Sequence, residues 1–157
     1  MPIQYFGSRA DLGRRYDMIL SVAWRFMSQQ DVETVRSGYD AFNRKDIPAV
    51  LALYDPQIEW TEGGGGRAPA GTFRGPQSIA TEVFATVPQN FDDFRAEPEQ
   101  FIDAGEHVVV VGRFRGKAKS GARLDAAFVH VHRMRNGKTV RFQNYVEAAS
   151  WADAWGS

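Results

Sequence analysis

The apolar residues in the first half of the chain recur at helical spacing. In residues 31–43 they fall three and four positions apart, and Ser28 or Asp31 stands where a helix cap is expected. A second stripe follows Asp46, with Pro48 in its first turn, where a missing N–H costs little. A third stripe follows Gly75-Pro76. We therefore predict three helices, over residues 31–43, 46–55 and 75–88.

The spacing of apolar residues changes to two after residue 56, which indicates a strand over residues 57–62. Ile58, Trp60 and Glu62 share one face of this strand, so a carboxylate continues an apolar row. Residues 63–71 are rich in glycine, and no Gly-Lys-Ser/Thr follows that would make them a phosphate-binding loop. We expect them to form a flexible rim over a pocket.

The rest of the chain reads as strands. Turn signals separate four of them, and Ser150 is placed to cap a short last helix that carries Trp151 and Trp155. Helices followed by a meander of strands predict an α+β fold, in which three N-terminal helices pack on a curved, mostly antiparallel sheet and enclose a pocket. The predicted strands are residues 94–103, 107–116, 124–135 and 138–148.

The turn at Asn136-Gly137 decides which side chains face the pocket. A two-residue loop would pair Arg135 with Lys138 and put His130 on one face with Gln143. A three-residue loop, with Gly137 as a bulge, would shift the pairing by one residue and invert the faces. We prefer the bulged form, because it gathers an apolar face and leaves three arginines outside. That face holds Phe128, His130, His132, Met134, Val140, Phe142, Asn144 and Val146, and the arginines are Arg133, Arg135 and Arg141.

Length and charge restrict the partners. The 157 residues suit one domain with a real core, and 19 basic residues balance 19 acidic ones, so no net charge favours nucleic acid or an anionic membrane. No apolar run approaches the length of a membrane span. The chain has no cysteine, which fits a reducing, cytoplasmic setting. We expect a small apolar molecule as ligand and a homodimer as the assembly.

Residues 1–26 differ from the rest, and we expect them to form a peripheral arm ahead of a domain over residues 27–157. Arg14-Arg15 before an apolar stretch weakly resembles an export signal, but Asp17 interrupts the stretch and Arg25 ends it early. Met27 would also make an ordinary start, so an over-extended reading frame is the alternative interpretation.

In the preferred register, Glu62, His130 and Asn144 project into one apolar concavity beside Trp60, and His132 is a further candidate. A desolvated carboxyl has a raised pKa and can act as a general base near neutral pH. A rim position with an arginine partner is the alternative for Glu62, and a structural place in the core is the alternative for the histidines. Spacing allows a metal on the two histidines and a carboxylate, but we predict neither a metal nor a cofactor. The predicted substrate-binding residues are Trp60, Arg113, Phe128, His132, Phe142, Asn144 and Val146.

Several stretches between residues 31 and 155 resemble the SnoaL-like branch of the nuclear transport factor 2-like (NTF2-like) superfamily, which has a cone-shaped fold. This superfamily includes ketosteroid isomerases, limonene-epoxide hydrolase and polyketide cyclases. The resemblance therefore implies one fold but not one reaction, because proteins with this fold have several activities. The stretches are residues 39–47, 58–61, 71–76, 136–138 and 142–147.

The resemblance also implies roles for single residues. Against the ketosteroid isomerases, Glu62 matches the aspartate base and His130 falls near the donor to the enolate oxygen. Gly38 stands where that family has its oxyanion tyrosine. Against limonene-epoxide hydrolase, Arg113 matches the central arginine, while Arg115 and Asn144 replace the two flanking aspartates.

The leading hypothesis is cofactor-free acid/base chemistry of the isomerase, cyclase or dehydratase type on an apolar carbonyl compound. Glu62 is the expected base, and His130 is expected to stabilise the enolate oxygen. The alternative is a non-catalytic module of the same fold that binds a small ligand or dimerises.

Overall fold

The computed structural model describes the backbone of residues 9–157 and the side chains of residues 13–157. The first eight residues of the predicted arm lie outside this described part. The remainder of the arm forms the first turns of helix α1, Arg9–Asn43.

Helix α1 does not begin at Ser28 or Asp31, so the predicted cap is wrong. The hydroxyl of Ser28 donates to the carbonyl of Arg25 at 3.0 Å instead of capping a new helix. The preceding residues are mostly good helix formers without proline, so the helix runs through them. Most large apolar side chains from Tyr16 to Met27 are nevertheless more than half exposed.

Helix α2, Ile47–Leu51, is capped as predicted, because the Asp46 carboxylate accepts from the Ala49 N–H at 3.2 Å. It ends before residue 55, and Tyr54 already belongs to the first strand. The third predicted helix is divided into α3, Pro76–Ser78, a π-helical turn, Ile79–Phe84, and α4, Thr86–Asn90. Four α-helices therefore precede strand β3 instead of the three predicted.

Six strands form one sheet in the order β2-β1-β6-β5-β4-β3. Strands β1 and β6 pair in parallel and all other neighbours are antiparallel. Strand β2 falls partly in the predicted glycine-rich loop, where it pairs with β1. The strands are β1, Tyr54–Gly63; β2, Ala70–Arg74; β3, Phe91–Ala104; β4, His107–Ala118; β5, Arg123–Arg135; and β6, Lys138–Val146.

The β5–β6 hairpin combines features of both predicted registers. Arg135 pairs with Lys138 across a two-residue turn, with Asn136 at φ 51° and Gly137 at φ 70°, so the predicted three-residue loop is wrong. A bulge at Val140 then shifts the pairing by one residue. Beyond the bulge, the residues that share a face are those of the preferred register, but the pairing is displaced by two residues: His132 pairs with Phe142 instead of Val140, His130 with Asn144, and Phe128 with Val146.

The helices cover one face of this sheet. Alternate residues of β5 are buried from Leu124 to Met134, while those between them, including Arg133 and Arg135, face outward. Helix α5, Ala148–Trp155, closes one end, and Glu147 caps it in place of the predicted Ser150: its carboxylate accepts from the Ser150 N–H. No helix within residues 9–157 is long and apolar enough to cross a membrane.

Candidate active site

A cavity of about 90 Å³ lies between the inner face of the sheet and helices α1 and α5. Its walls are mostly aromatic and aliphatic side chains. Among the described residues that line it, Glu62 is the one with a formal charge at neutral pH, since both lining histidines are held neutral by burial. The volume is well below the roughly 300–1,000 Å³ of pockets for drug-sized ligands, which indicates a compact ligand.

Glu62 is fixed in this cavity by two donors. The Trp60 Nε1–H donates to Oε1 at 2.6 Å, and the Asn144 Nδ2–H donates to Oε2 at 2.7 Å. Trp60 lies two residues earlier on the same face of β1, and Asn144 lies on the neighbouring strand β6. Burial raises the pKa of Glu62 from 4.5 to about 7, although the hydrogen bonds from Asn144 and Trp60 lower it. At neutral pH the carboxyl is therefore divided between its two protonation states.

Tyr39 holds the two histidines of β5. Its hydroxyl lies 2.6 Å from His130 Nδ1 and 3.2 Å from His132 Nε2. Burial lowers the pKa of both histidines, that of His132 to about 3, and the nearby His132 adds to the effect on His130. Both rings are therefore neutral at physiological pH, so each presents one N–H and one bare nitrogen.

Four buried polar atoms find no hydrogen-bond partner among residues 13–157. Such atoms are uncommon in folded proteins, and each one can be satisfied by a water molecule or by a polar group of a ligand. They are His130 Nε2, His132 Nδ1, Asn144 Oδ1 and Trp155 Nε1.

The structure brings together most of the residues that the sequence singled out. Glu62 and His130 line the cavity, as do Trp60, His132, Phe142 and Asn144. The ring of Phe128 does not line it, but stacks on the His130 ring at 3.9 Å. Val146 packs against the main core instead of lining the cavity.

Arg113 is a correction, because it does not reach the cavity. Its position on β4 points it to the outer face of the sheet, where Nε donates to the Asp125 carboxylate at 2.6 Å. The neighbouring residues Gly112 and Phe114 take the inward positions, as alternation along the strand requires. The predicted contact between Arg113 and a substrate is therefore wrong.

Sequence reasoning missed Tyr39, which it assigned to the buried face of the first helix. Gly38 and Tyr39 both line the cavity, so a tyrosine hydroxyl is present one residue after the position where the resemblance led us to expect it. The hydroxyl group of Tyr39 could have indicated a polar contact inside the fold, because a buried tyrosine hydroxyl usually has a hydrogen-bond partner. Tyr54 was missed in the same way; burial, and then the charge of Glu62, raise its pKa.

No group of three His, Cys, Asp or Glu side chains within the described part of the chain is arranged to hold a metal ion. The polar groups of the cavity are instead suited to proton transfer and hydrogen bonding.

Solved structures with a similar fold include NTF2-like proteins. An NTF2-like protein of unknown function from Burkholderia pseudomallei K96243 is 32% identical, with 82% of this chain and 98% of that chain covered and a TM-score of 0.72. An NTF2-like protein from Burkholderia thailandensis E264 is 31% identical, with 81% and 98% covered and a TM-score of 0.75. TerC, co-crystallised with polyporic acid, is 27% identical, with 82% and 99% covered and a TM-score of 0.71.

The sequence model of the SnoaL-like domain matches residues 35–142. This chain therefore belongs to the SnoaL-like domain family, within the NTF2-like and ketosteroid isomerase-like fold. A search of curated proteins finds no match.

Proposed function

We propose that this protein is a SnoaL-like enzyme that moves a proton on a small, apolar carbonyl compound without a cofactor. The reaction is of the isomerase, cyclase or dehydratase type. One observation carries the proposal: a single carboxyl, Glu62, lies in an apolar cavity, and its pKa is raised to about 7. A base whose pKa lies near the working pH transfers protons efficiently in both directions.

Glu62 is oriented for this role without being saturated. An ionised carboxylate offers about four lone-pair sites, and the N–H groups of Trp60 and Asn144 occupy two of them. At least one further site remains for a substrate proton. The two donors also favour the ionised form, which keeps part of the population basic at neutral pH.

His130 supplies the complementary donor. We assign the Tyr39 hydroxyl proton to the shorter of its two contacts, that with His130 Nδ1. The ring proton of neutral His130 then lies on Nε2, a buried atom that finds no well-formed hydrogen bond among residues 13–157, although the Asn144 side chain lies near enough to the ring to raise its pKa. This N–H can donate to a carbonyl oxygen as negative charge develops there.

The proposed reaction moves one proton from the substrate to Glu62 and then back to the substrate. The carboxylate removes a proton from the carbon next to the carbonyl, and the electron pair of the broken C–H bond moves to the oxygen, giving an enolate. The His130 Nε2–H stabilises that oxygen. In an isomerisation, the protonated Glu62 then returns its proton to another carbon of the conjugated enolate, and the carbonyl re-forms. In a dehydration, Glu62 protonates the oxygen of a β-hydroxyl group; its C–O bond breaks, the enolate electrons form a C=C bond as the carbonyl re-forms, and water leaves.

A relative supports an organic ligand for this fold, since TerC was crystallised with polyporic acid. A second candidate function, ligand binding without catalysis, is favoured by Asn144, whose neutral amide holds Glu62 but cannot exchange a proton with it.

The test compares turnover of cyclic enones and β-keto compounds by the wild type, Glu62→Gln and Glu59→Gln. Glu59 lies on the same strand but faces outward, where it pairs with Arg74 and Arg141, so it is the matched control. We expect Glu62→Gln to lose at least 100-fold in kcat/KM, and Glu59→Gln to lose almost nothing. Wild-type kcat/KM should rise with pH and level off above about 7, as Glu62 ionises. Equal, measurable rates for wild type and Glu62→Gln would remove Glu62 from the mechanism, and absence of turnover by the wild type would leave the binding module.

A further inference from the structure

The indole nitrogen of Trp155 has no part in the chemistry proposed for the cavity. Trp155 is 5% exposed and lines the cavity from helix α5. Its Nε1–H can only donate, and no atom of residues 13–157 accepts from it. A buried donor in this position calls for an acceptor atom on whatever fills the cavity.

The Trp155 ring contacts Phe91 and Trp151, and its connection to His130 is indirect. The indole ring packs on Trp151 at 5.5 Å, Trp151 packs on Phe114 at 4.9 Å, and Phe114 packs on His130 at 5.4 Å. This chain of ring contacts from the Trp155 indole to the His130 imidazole therefore passes through two aromatic rings. A ligand that satisfies both must carry two polar atoms with a flat, apolar part between them.

The walls restrict the chemistry of the second polar atom. No lysine or arginine lines the cavity among the described residues, and the one acidic residue of this lining is Glu62. An anionic group would be buried without a counter-charge, which is unfavourable. A neutral acceptor, such as an ether or a second carbonyl oxygen, suits a lone indole N–H. Aromatic walls formed by Phe94, Phe114 and Trp151 favour a planar ring beside it.

We propose that the cavity binds a flat, neutral ring ketone that carries a second acceptor oxygen remote from its carbonyl, and that the Trp155 N–H donates to this oxygen. Trp155 then determines specificity, because it distinguishes compounds that carry this oxygen from those that lack it. The proposal rests on the proposed function for the placement of the reacting carbonyl at Glu62 and His130.

The test measures binding by calorimetry with two ketones of nearly equal size, 5-methoxy-1-indanone and 5-ethyl-1-indanone. They differ in whether an ether oxygen or a methylene group is present at the remote position. The wild type should bind the methoxy compound about two- to tenfold more tightly, which corresponds to the net contribution of one neutral hydrogen bond. Trp155→Phe should bind both with equal affinity. Trp24→Phe is the control, because Trp24 is 53% exposed and lies outside the cavity, and it should keep the wild-type ratio.

A second measurement keeps the proposal testable if Trp155→Phe does not fold. In wild-type protein, the methoxy compound should shift the Trp155 indole N–H resonance downfield, and the ethyl compound should not. The four tryptophan signals are assigned by substituting the other three in turn. Equal affinity of the wild type for the two ketones, an unchanged ratio in Trp155→Phe, or no binding of either ketone would overturn the proposal.

The same titrations separate this proposal from the proposed function. Glu62→Gln should keep the preference for the methoxy compound even though its turnover is lost. A preference that depends on Trp155 in a protein without turnover would refute the enzyme and leave the inference standing. Turnover that depends on Glu62, with no effect of Trp155 on the preference for the methoxy compound, would support the enzyme and refute the inference.

Discussion

Glu62 combines a half-buried, desolvated carboxyl with two donors that compensate only part of its desolvation. Its pKa in the fold is about 7, against 4.5 for an exposed side chain. Below about pH 4.5 the carboxyl is protonated in both the folded and unfolded chain. As the pH rises towards 7, the unfolded chain ionises first, so the folded state loses stability.

This sign leads to a prediction for Glu62→Gln, which removes the titration. The free energy of unfolding of the wild type, relative to the variant, should fall by about 3 kcal/mol between pH 4.5 and pH 7. A constant offset will accompany it, because glutamine has one acceptor oxygen for the N–H groups of Trp60 and Asn144. Urea unfolding at several pH values measures the difference, and a difference that stays constant with pH would contradict the account.

His130 and His132 change the stability with pH in the opposite direction. Their contribution cancels when the wild type is compared with Glu62→Gln. Burial lowers the pKa of His130 and His132, so the unfolded chain takes up protons below pH 6.5 while the folded chain does not. Their effect is a loss of stability as the pH falls. Both proteins contain these histidines, so the difference between wild type and variant isolates Glu62.

Strand alternation was enough to place Trp60 and Glu62 on the inner face from sequence alone. The face of Arg113 was predicted wrongly, because we followed its resemblance to a central arginine instead of the alternation along β4. That alternation points this residue outward. Tyr39 was missed because an apolar stripe on a helix does not show where a hydroxyl at its centre will point. The partners of Tyr39 are 91 and 93 residues away in sequence.

At the scale of the elements, strands β3 to β6 were predicted to within about three residues, because each has clear turns at its ends. The face of β5 and β6 that His130 occupies was predicted correctly, but the pairing was wrong by two residues, since the bulge lies at Val140 and not at Gly137. Pairing between β1 and β6 could not be predicted, because parallel contacts depend on long-range packing and leave no local pattern. The prediction of one continuous helix over residues 75–88 missed the π-helical turn, because hydrophobic spacing hardly distinguishes a π-helix from an α-helix.

Gly112 of β4 tests how closely these elements approach. A Cβ atom here would lie 2.6 Å from Phe128 Cζ and would also clash with the Glu97 carbonyl oxygen, next to the irregular pairing of β3 between Pro98 and Gln100. Gly112→Ala should lower the free energy of unfolding by about 1–3 kcal/mol, the usual cost of overpacking.

Gly63→Ala is the matched control in chemical unfolding, because nothing lies within 4 Å of the added methyl group. It should change the stability by less than about 0.5 kcal/mol. Equal stabilities for the two variants would show that β3 and β4 are not in the described contact.

At the scale of the whole molecule, we propose that residues 1–26 form an arm outside the domain. Of the side chains from Tyr16 to Phe26, all the large apolar ones are more than half exposed, and the family match begins at residue 35. Deleting residues 2–26 should therefore change the free energy of unfolding by less than about 1 kcal/mol. A loss of several kcal/mol in thermal or chemical unfolding would place the arm within the cooperative unit.

The homodimer and the cytoplasmic location stay predictions. Light scattering of the full chain and of the deleted form would give the first, and would show whether the exposed residues of α1 contribute to association.

The central claim is that Glu62 is a base because the cavity desolvates it, and its carboxyl pKa is the most direct test. Titration of the ¹³Cδ resonance, assigned by its absence in Glu62→Gln, should give a midpoint at about pH 7. A midpoint at about pH 4.5, the value of an exposed glutamate, would contradict the account.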